Sequence, residues 1–214
     1  MLSKDVVLAE FKANQEADKT VLEIDDAVRE CAASLDSGKV PSSVSGLVRD
    51  ASGLVRDASG LVRDASGLVR DASGLVRDQA TGQQYKDIAR KARLLFIEHS
   101  RFALTMRRFS DLAKTGSTSN VVDDASGLVR DASGLVRDAS GLVRDVSELM
   151  SDPVKKKNLQ LLISNADLET RAGSLKNNAG NTKTPSDASG LVRDASGLVR
   201  DASGLVRDAS GLVR

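Results

Sequence analysis

Ser45-Gly46-Leu47-Val48-Arg49-Asp50-Ala51-Ser52-Gly53-Leu54-Val55-Arg56-Asp57 opens a seven-residue unit, Ala-Ser-Gly-Leu-Val-Arg-Asp, that recurs almost without error in three separate blocks. Five copies of its core Ser-Gly-Leu-Val-Arg lie between Ser45 and Asp78, three between Ala125 and Asp145, and four between Ala188 and Arg214. On an α-helix each residue turns by about 100°. Ala51, Leu54 and Val55 then fall within an arc of roughly 100°, the width of a core-facing stripe. Ser52, Arg56 and Asp57 lie outside that arc, and Gly53 sits nearly opposite its centre. In heptad terms Ala is at a, Leu at d, Val at e, Arg at f and Asp at g. A strand fails on arithmetic: seven is odd, so a period-2 pattern would swap faces at every repeat.

Two features oppose the helix. Each copy carries a Gly, which costs about 1 kcal/mol relative to Ala in a helix interior. Arg and Asp stand at spacings that never make an i,i+3 or i,i+4 pair within one helix. A turn competes locally, since Asp50-Ala51-Ser52-Gly53 places Asp and Gly at the first and fourth positions of a type I turn. Against these, burying each Leu or Val side chain contributes roughly 1.5–3 kcal/mol. The repeat is therefore expected to be helical when packed and marginal when alone. Twelve near-identical copies also offer no set of differing residues from which a specific ligand site could be built.

The non-repetitive segments read as helices too. Between Lys4 and Leu35, Val7, Phe11, Asn14, Ala17, Val21, Ile24, Val28, Cys31 and Leu35 recur at threes and fours, with Ser3 as N-cap and Gly38 and Pro41 as the stop. Gln79-Ala80-Thr81-Gly82 is expected to break the chain before a helix from Gln83 to Lys114. Its seam is Ile88, Ala92, Leu95, His99, Phe102, Met106, Phe109 and Ala113, widened by Leu94, Ile97 and Leu104. Thr115 to Asn120 reads as loop, and Asp123-Asp124 as the N-cap of the second repeat block. Asp152-Pro153 opens a helix to about Leu175, and Asn177 to Pro185 is a polar linker. The fold class expected is all-α: an antiparallel bundle of about six helices, alternating unique helices with heptad-repeat helices. It divides into residues 1–114 and 115–214, or forms one continuous bundle.

Composition narrows the function. Aromatic residues are 2% of the chain and apolar residues 40%, so the core is built from Leu, Val, Ala and Ile. A net charge of +1 gives no global field toward nucleic acid. Cys31 is the single cysteine, which points to a reducing, cytoplasmic compartment. The opening Met-Leu-Ser-Lys-Asp-Val-Val lacks the apolar core of a secretory leader, and no apolar run approaches a membrane span.

His99 is the sole histidine and lies in a helix seam, so no catalytic or metal site is expected there. Cys31 sits on an apolar stripe, and Asp25-Asp26 beside Glu23 read as a solvated face. The basic residues Arg90, Lys91, Arg93, Arg101, Arg107 and Arg108, with Lys114, and the run Lys155-Lys156-Lys157 are the candidate surface for an anionic partner such as a lipid membrane. No interleaved aromatics or known motif favours nucleic acid. No cofactor and no enzymatic activity are expected, because no nucleophile–base–orienter set is present.

The stretch Tyr85 to Asp111, notably Ala89-Arg90-Lys91-Ala92-Arg93-Leu94-Leu95, and the stretch Asp152 to Leu175 resemble helical bundles of the vinculin, α-catenin and talin type. The likeness covers about a third of the chain, and the glycine-bearing heptads depart from it. It implies a non-enzymatic cytoskeletal adaptor that binds partner helices or filaments, with self-association left open. The alternative is a repetitive spacer or antigen, natural or engineered, with no specific ligand site.

Overall fold

The computed structural model describes residues 3–36, 40–116 and 120–214. Gly38, expected to stop the first helix, and Ser117-Thr118-Ser119 of the expected loop lie outside the described residues. Among the described residues there are eight helical segments: α1 Lys4–Leu35, α2 Ser42–Ser73, α3 Gln79–His99, α4 Arg101–Thr115, α5 Val121–Leu149, α6 Pro153–Ala166, α7 Leu168–Ala179 and α8 Pro185–Val213. Only Ser100 separates α3 from α4 and only Asp167 separates α6 from α7, so the segments form six rods. The fold is an all-α bundle, with no strand among the described residues. No helix described is long and apolar enough to cross a membrane.

Local chemistry sets most of the boundaries. The Ser3 hydroxyl accepts from the Val6 N–H, and Asp152 accepts from the N–H groups of Val154 and Lys155 ahead of Pro153. The first break comes earlier than expected. The fifth copy of the first block leaves the helix at Gly74, and α3 starts at Gln79 instead of Gln83. A reciprocal capping box is the cause. Asp78 accepts from the Thr81 N–H at 2.8 Å, and the Thr81 hydroxyl accepts from the Asp78 N–H at 3.1 Å.

Asp123 and Asp124 do not cap the second block; α5 begins at Val121 behind Asn120, and both aspartates lie in its first turn. There they still favour the positive end of the helix dipole. The expected single helix to Leu175 kinks at Asp167, a non-glycine residue at φ 44°, and its second half runs on to Ala179. Gly116, by contrast, is a glycine at φ 71°, its N–H bonded to the Leu112 carbonyl in a left-handed helix stop.

The closest packing in the bundle joins two rods that are not consecutive in the chain, and it is parallel. Arg193, Arg200, Arg207 and Arg214 of α8 pair with Asp50, Asp57, Asp64 and Asp71 of α2 at 2.9, 3.2, 3.0 and 3.0 Å. The sequence offset is a constant 143, which only parallel helices can maintain. This α2–α8 interface is the most extensive in the molecule.

The unique rods are likewise parallel to each other. Asp5 meets Lys86, the Thr20 hydroxyl donates to the Phe96 carbonyl at 2.8 Å, and Ser34 meets Ser110 at 2.7 Å, so α1 runs alongside α3 and α4. Lys91–Asp145 and Arg108–Asp124 set α5 running against that rod. Turns hide this in sequence: each reversal costs only a short linker, and two reversals bring like directions back together.

The repeat helices occupy the middle. α2, α5 and α8 all touch one another, α1 and α3–α4 cover one side, and α6–α7 packs on α5 and α8. Ala, Leu and Val of nearly every copy are buried, as the heptad reading requires. The serines were placed outside the apolar arc, yet Ser52, Ser59, Ser66, Ser126, Ser133, Ser140, Ser196 and Ser203 are buried as well. A helix with rods on several sides needs more than a 100° stripe. A serine tolerates burial by returning its hydroxyl to the preceding turn, as Ser52 does to the Val48 carbonyl at 2.9 Å and Ser133 to Val129 at 2.8 Å.

In α8 the serines act differently. The hydroxyls of Ser189, Ser196 and Ser203 donate to the carboxylates of Asp50, Asp57 and Asp64, the same groups that take the arginines. Each of the first three rungs is thus one aspartate of α2 holding a serine and an arginine of α8, and the fourth, Asp71, holds Arg214.

Two outcomes follow from this packing. A Cβ added at Gly60, Gly134 or Gly204 would meet nothing within 4 Å. Gly→Ala at each should therefore raise stability by about 0.5–1 kcal/mol, read as a higher denaturation midpoint with an unchanged slope. In the ladder the two partners should differ. The Asp57 side chain is 28% exposed and Arg200 65%. Asp57→Ala should cost about 1–3 kcal/mol by orphaning the buried Ser196 hydroxyl, and Arg200→Ala less than about 1 kcal/mol; equal losses in urea titrations would contradict the rung geometry.

Candidate functional surface

All large apolar side chains that stay exposed among the described residues belong to the unique helices. They are Val7, Leu8, Phe11 and Leu22 on α1, Leu94, Ile97 and Leu104 on α3–α4, and Val154 and Leu161 on α6. The repeat helices contribute none. Two earlier readings change here. Val7 and Phe11 leave the α1 seam, at 51% and 63% exposure, because Val6 and Ala13 face the core instead. Leu94, Ile97 and Leu104 do not widen the buried seam of α3–α4; they lie at 52–55% exposure on the opposite side. The seam itself, from Ile88 to Ala113, is buried as expected.

The outward residues of α3–α4 are ordered. Arg90, Leu94, Ile97, Arg101, Leu104 and Arg108 follow one another at spacings of four, three, four, three and four. That is the spacing of a heptad seam, here turned to solvent. All six are exposed. Leu94 also borders an open groove between α3 and α5, with Leu95, Glu98, Arg137, Gly141 and Leu142 along it. The one-residue break at Ser100, where its N–H reaches the Ile97 carbonyl, lies midway along the stripe.

The ten basic positions singled out in the sequence lie on two separate rods, Lys114 among them at the end of α4, 3.7 Å from Asp111. Arg90 is 3.5 Å from Asp87 and Arg108 is 3.3 Å from Asp124. Lys91 is 2.5 Å from Asp145, and Arg93 donates to the Ala9 carbonyl at 3.4 Å. Arg101 and Arg107 are exposed. Lys155, Lys156 and Lys157 open α6, which packs on α5 and α8, and Lys156 reaches Glu148 at 2.7 Å. An exposed pair is worth at most about 1 kcal/mol, so these partners only partly occupy the cations. Arg90, Arg101 and Arg108 gain their arrangement from the stripe, and the α6 lysines stand on a separate rod.

His99 lies inside, 5% exposed, its ring centroid 5.4 Å from that of Phe102. Its Nε2 has no hydrogen-bond partner. Burial first, and the neighbouring Arg101 second, lower its pKa to about 4, so the ring is neutral near pH 7. The Tyr85 hydroxyl is also buried without a partner, and burial with nearby Glu10 raises its pKa. The Cys31 thiol is fully buried and pushed up to about 11, which leaves it protonated and unreactive. Among the described residues no group of His, Cys, Asp or Glu is placed to hold a metal.

The His99 environment predicts an acid limb. A histidine whose pKa is lower folded than unfolded leaves stability untouched above about pH 6.5, and removes it as pH falls toward 4, because only the unfolded chain takes the proton. The loss should be on the order of 3 kcal/mol across that window. His99→Phe should flatten it relative to wild type in urea titrations from pH 7 to 4; parallel curves would show that His99 protonates freely in the fold.

No protein-family description, no curated protein and no solved structure matches this chain. The likeness to vinculin, α-catenin and talin-type bundles therefore rests on its helical pattern alone.

Proposed function

We propose that the chain is a non-enzymatic helical scaffold that binds partner helices through the outer face of α3–α4. The observation that carries this is the solvent-facing series Arg90, Leu94, Ile97, Arg101, Leu104 and Arg108. Apolar residues at heptad spacing bury poorly against water and well against a second helix laid along them. The interleaved arginines favour a partner helix with glutamates or aspartates beside its apolar stripe. An acidic filament surface satisfies the same chemistry, which keeps an actin-linked adaptor within the proposal. A cytoplasmic setting is consistent with the single buried thiol.

The spacer or antigen reading gains less from the packing. A displayed epitope needs exposure, whereas the repeats bury Ala, Ser, Leu and Val in most copies and leave only Arg exposed in every one.

A synthetic amphipathic peptide with leucines at a and d and glutamates at e and g, titrated by fluorescence anisotropy, tests the reading. It should bind the wild-type chain and lose at least about tenfold in affinity (1.4 kcal/mol) toward Leu94→Glu/Ile97→Glu/Leu104→Glu. The triple variant should keep its helical circular dichroism, because all three side chains are exposed. Equal affinity for both chains, or none for either, would sink the proposal. Co-sedimentation with actin filaments, wild type against the same variant, separates a filament partner from a single helix.

A further inference from the structure

We infer that residues 4–12 of α1, with the strip of α3 beside them, form a docking surface for an anionic lipid bilayer. Val7, Leu8 and Phe11 are exposed there. Phe11 follows Leu8 by three residues and Val7 by four, so the three share one side of the helix. Lys4 precedes Val7 and Leu8 at the same spacings and is exposed beside them. Of the four phenylalanines, Phe96, Phe102 and Phe109 are fully buried and only Phe11 faces water. Val6 and Ala13 are fully buried on the other side of the same turns, so α1 cannot rotate Phe11 inward without exposing them.

The cations come from two helices. Leu8 and Lys12 share an open groove with Lys86, Arg90 and Arg93 of α3. With Lys4 these make five cations against three carboxylates, Asp5, Glu10 and Asp87, which leaves +2 in this region of a chain whose total is +1. Lys91 is turned to Asp145 of α5 and takes no part. Lys86–Asp5 at 3.3 Å and Arg90–Asp87 at 3.5 Å are exposed pairs, weak enough in water for a lipid phosphate to compete with them. Among the described residues neither Lys4 nor Lys12 has an ion-pair partner.

The shape of the apolar patch selects a bilayer over a second helix. Beyond Phe11 the outward positions are Gln15 and Asp18 before Leu22 is reached, so a helix laid along α1 finds no continuous apolar seam. A bilayer needs only a local wedge. Apolar side chains enter the headgroup boundary, and flanking lysines lay their stems along the wedge with the ammonium groups at the lipid phosphates. Anionic lipid supplies the negative charge that this region lacks. Of these residues only Arg90 also belongs to the helix-binding stripe of α3–α4.

Co-sedimentation of the full chain with vesicles tests the inference. The wild-type chain should pellet with mixed phosphatidylcholine–phosphatidylserine vesicles, at least about tenfold less with phosphatidylcholine alone, and less as salt rises. Leu8→Ser/Phe11→Ser removes the wedge and Lys4→Glu/Lys12→Glu reverses the unpaired cations. Each should lose about tenfold in partitioning onto the mixed vesicles. All four side chains are exposed, so both variants should keep their helical circular dichroism. Both should also bind the leucine–glutamate peptide as the wild type does, which separates this surface from the helix-binding stripe.

Equal pelleting on the two vesicle types, or none on either, would overturn the bilayer surface. Unchanged pelleting of Leu8→Ser/Phe11→Ser would do so too, since adsorption would then need charge alone. Loss of peptide binding in both variants, with vesicle binding intact, would make this face a helix site instead.

Discussion

Burial of the Ala-Leu-Val side of three helices built from one repeated heptad against one another is the constraint on which this structure rests. Each copy supplies one Leu and one Val, and a fully buried side chain of that kind contributes roughly 1.5–3 kcal/mol. This outweighs the glycine penalty of about 1 kcal/mol in the same copy. The balance holds only where the apolar side is covered. At Gly74-Leu75-Val76-Arg77 the same residues unwind, because the Asp78–Thr81 cap starts the next helix there. Identical sequence thus adopts two conformations, and the neighbours decide which.

The parallel arrangement of α2 and α8 explains how one heptad can serve three places. The unit has a Ser-Arg side and an Asp side flanking its apolar stripe. In α8 the first meets the aspartates of α2, while Asp201 meets Arg171 of α7 at 2.7 Å. In α2 the Ser-Arg side turns to α1 instead, where Arg63 meets Asp25 and Ser66 meets Asn14. In α5 the two sides reach Glu169 through Arg144 and Lys91 through Asp145. The unique helices supply complementary charges where no second repeat is present. Their remaining face is free to differ, and the exposed apolar residues are found there.

His99 and Tyr85 mark where this economy of residue types runs thin. Both are among the few aromatic-sized side chains in a core of Leu, Val and Ala, and both leave a polar atom unpaired. A buried polar group without a partner costs about 1–3 kcal/mol. Burial is the main cause that holds both rings neutral near pH 7, with Arg101 adding to it at His99 and Glu10 at Tyr85.

Periodicity made much of the molecule legible. Sevens that exclude a strand, threes and fours in the unique segments, and the caps at Ser3 and Asp152 determine an all-α chain and nearly all of its buried Leu, Val and Ala. The Ile88 to Ala113 seam was readable for the same reason: apolar spacing is a property of one helix. What one helix cannot carry is its position among the others. Whether Phe11 or Ala13 faced inward, whether Leu94, Ile97 and Leu104 joined the core or the surface, and whether Ser52 was buried depended on how many rods surround each helix. Direction was hidden too, since a heptad reads alike beside a parallel or an antiparallel partner. The tertiary structure decided both, because lateral contacts between α2, α5 and α8 widen the buried arc to include serine, and the four arginine–aspartate pairs at one constant offset hold α8 parallel to α2.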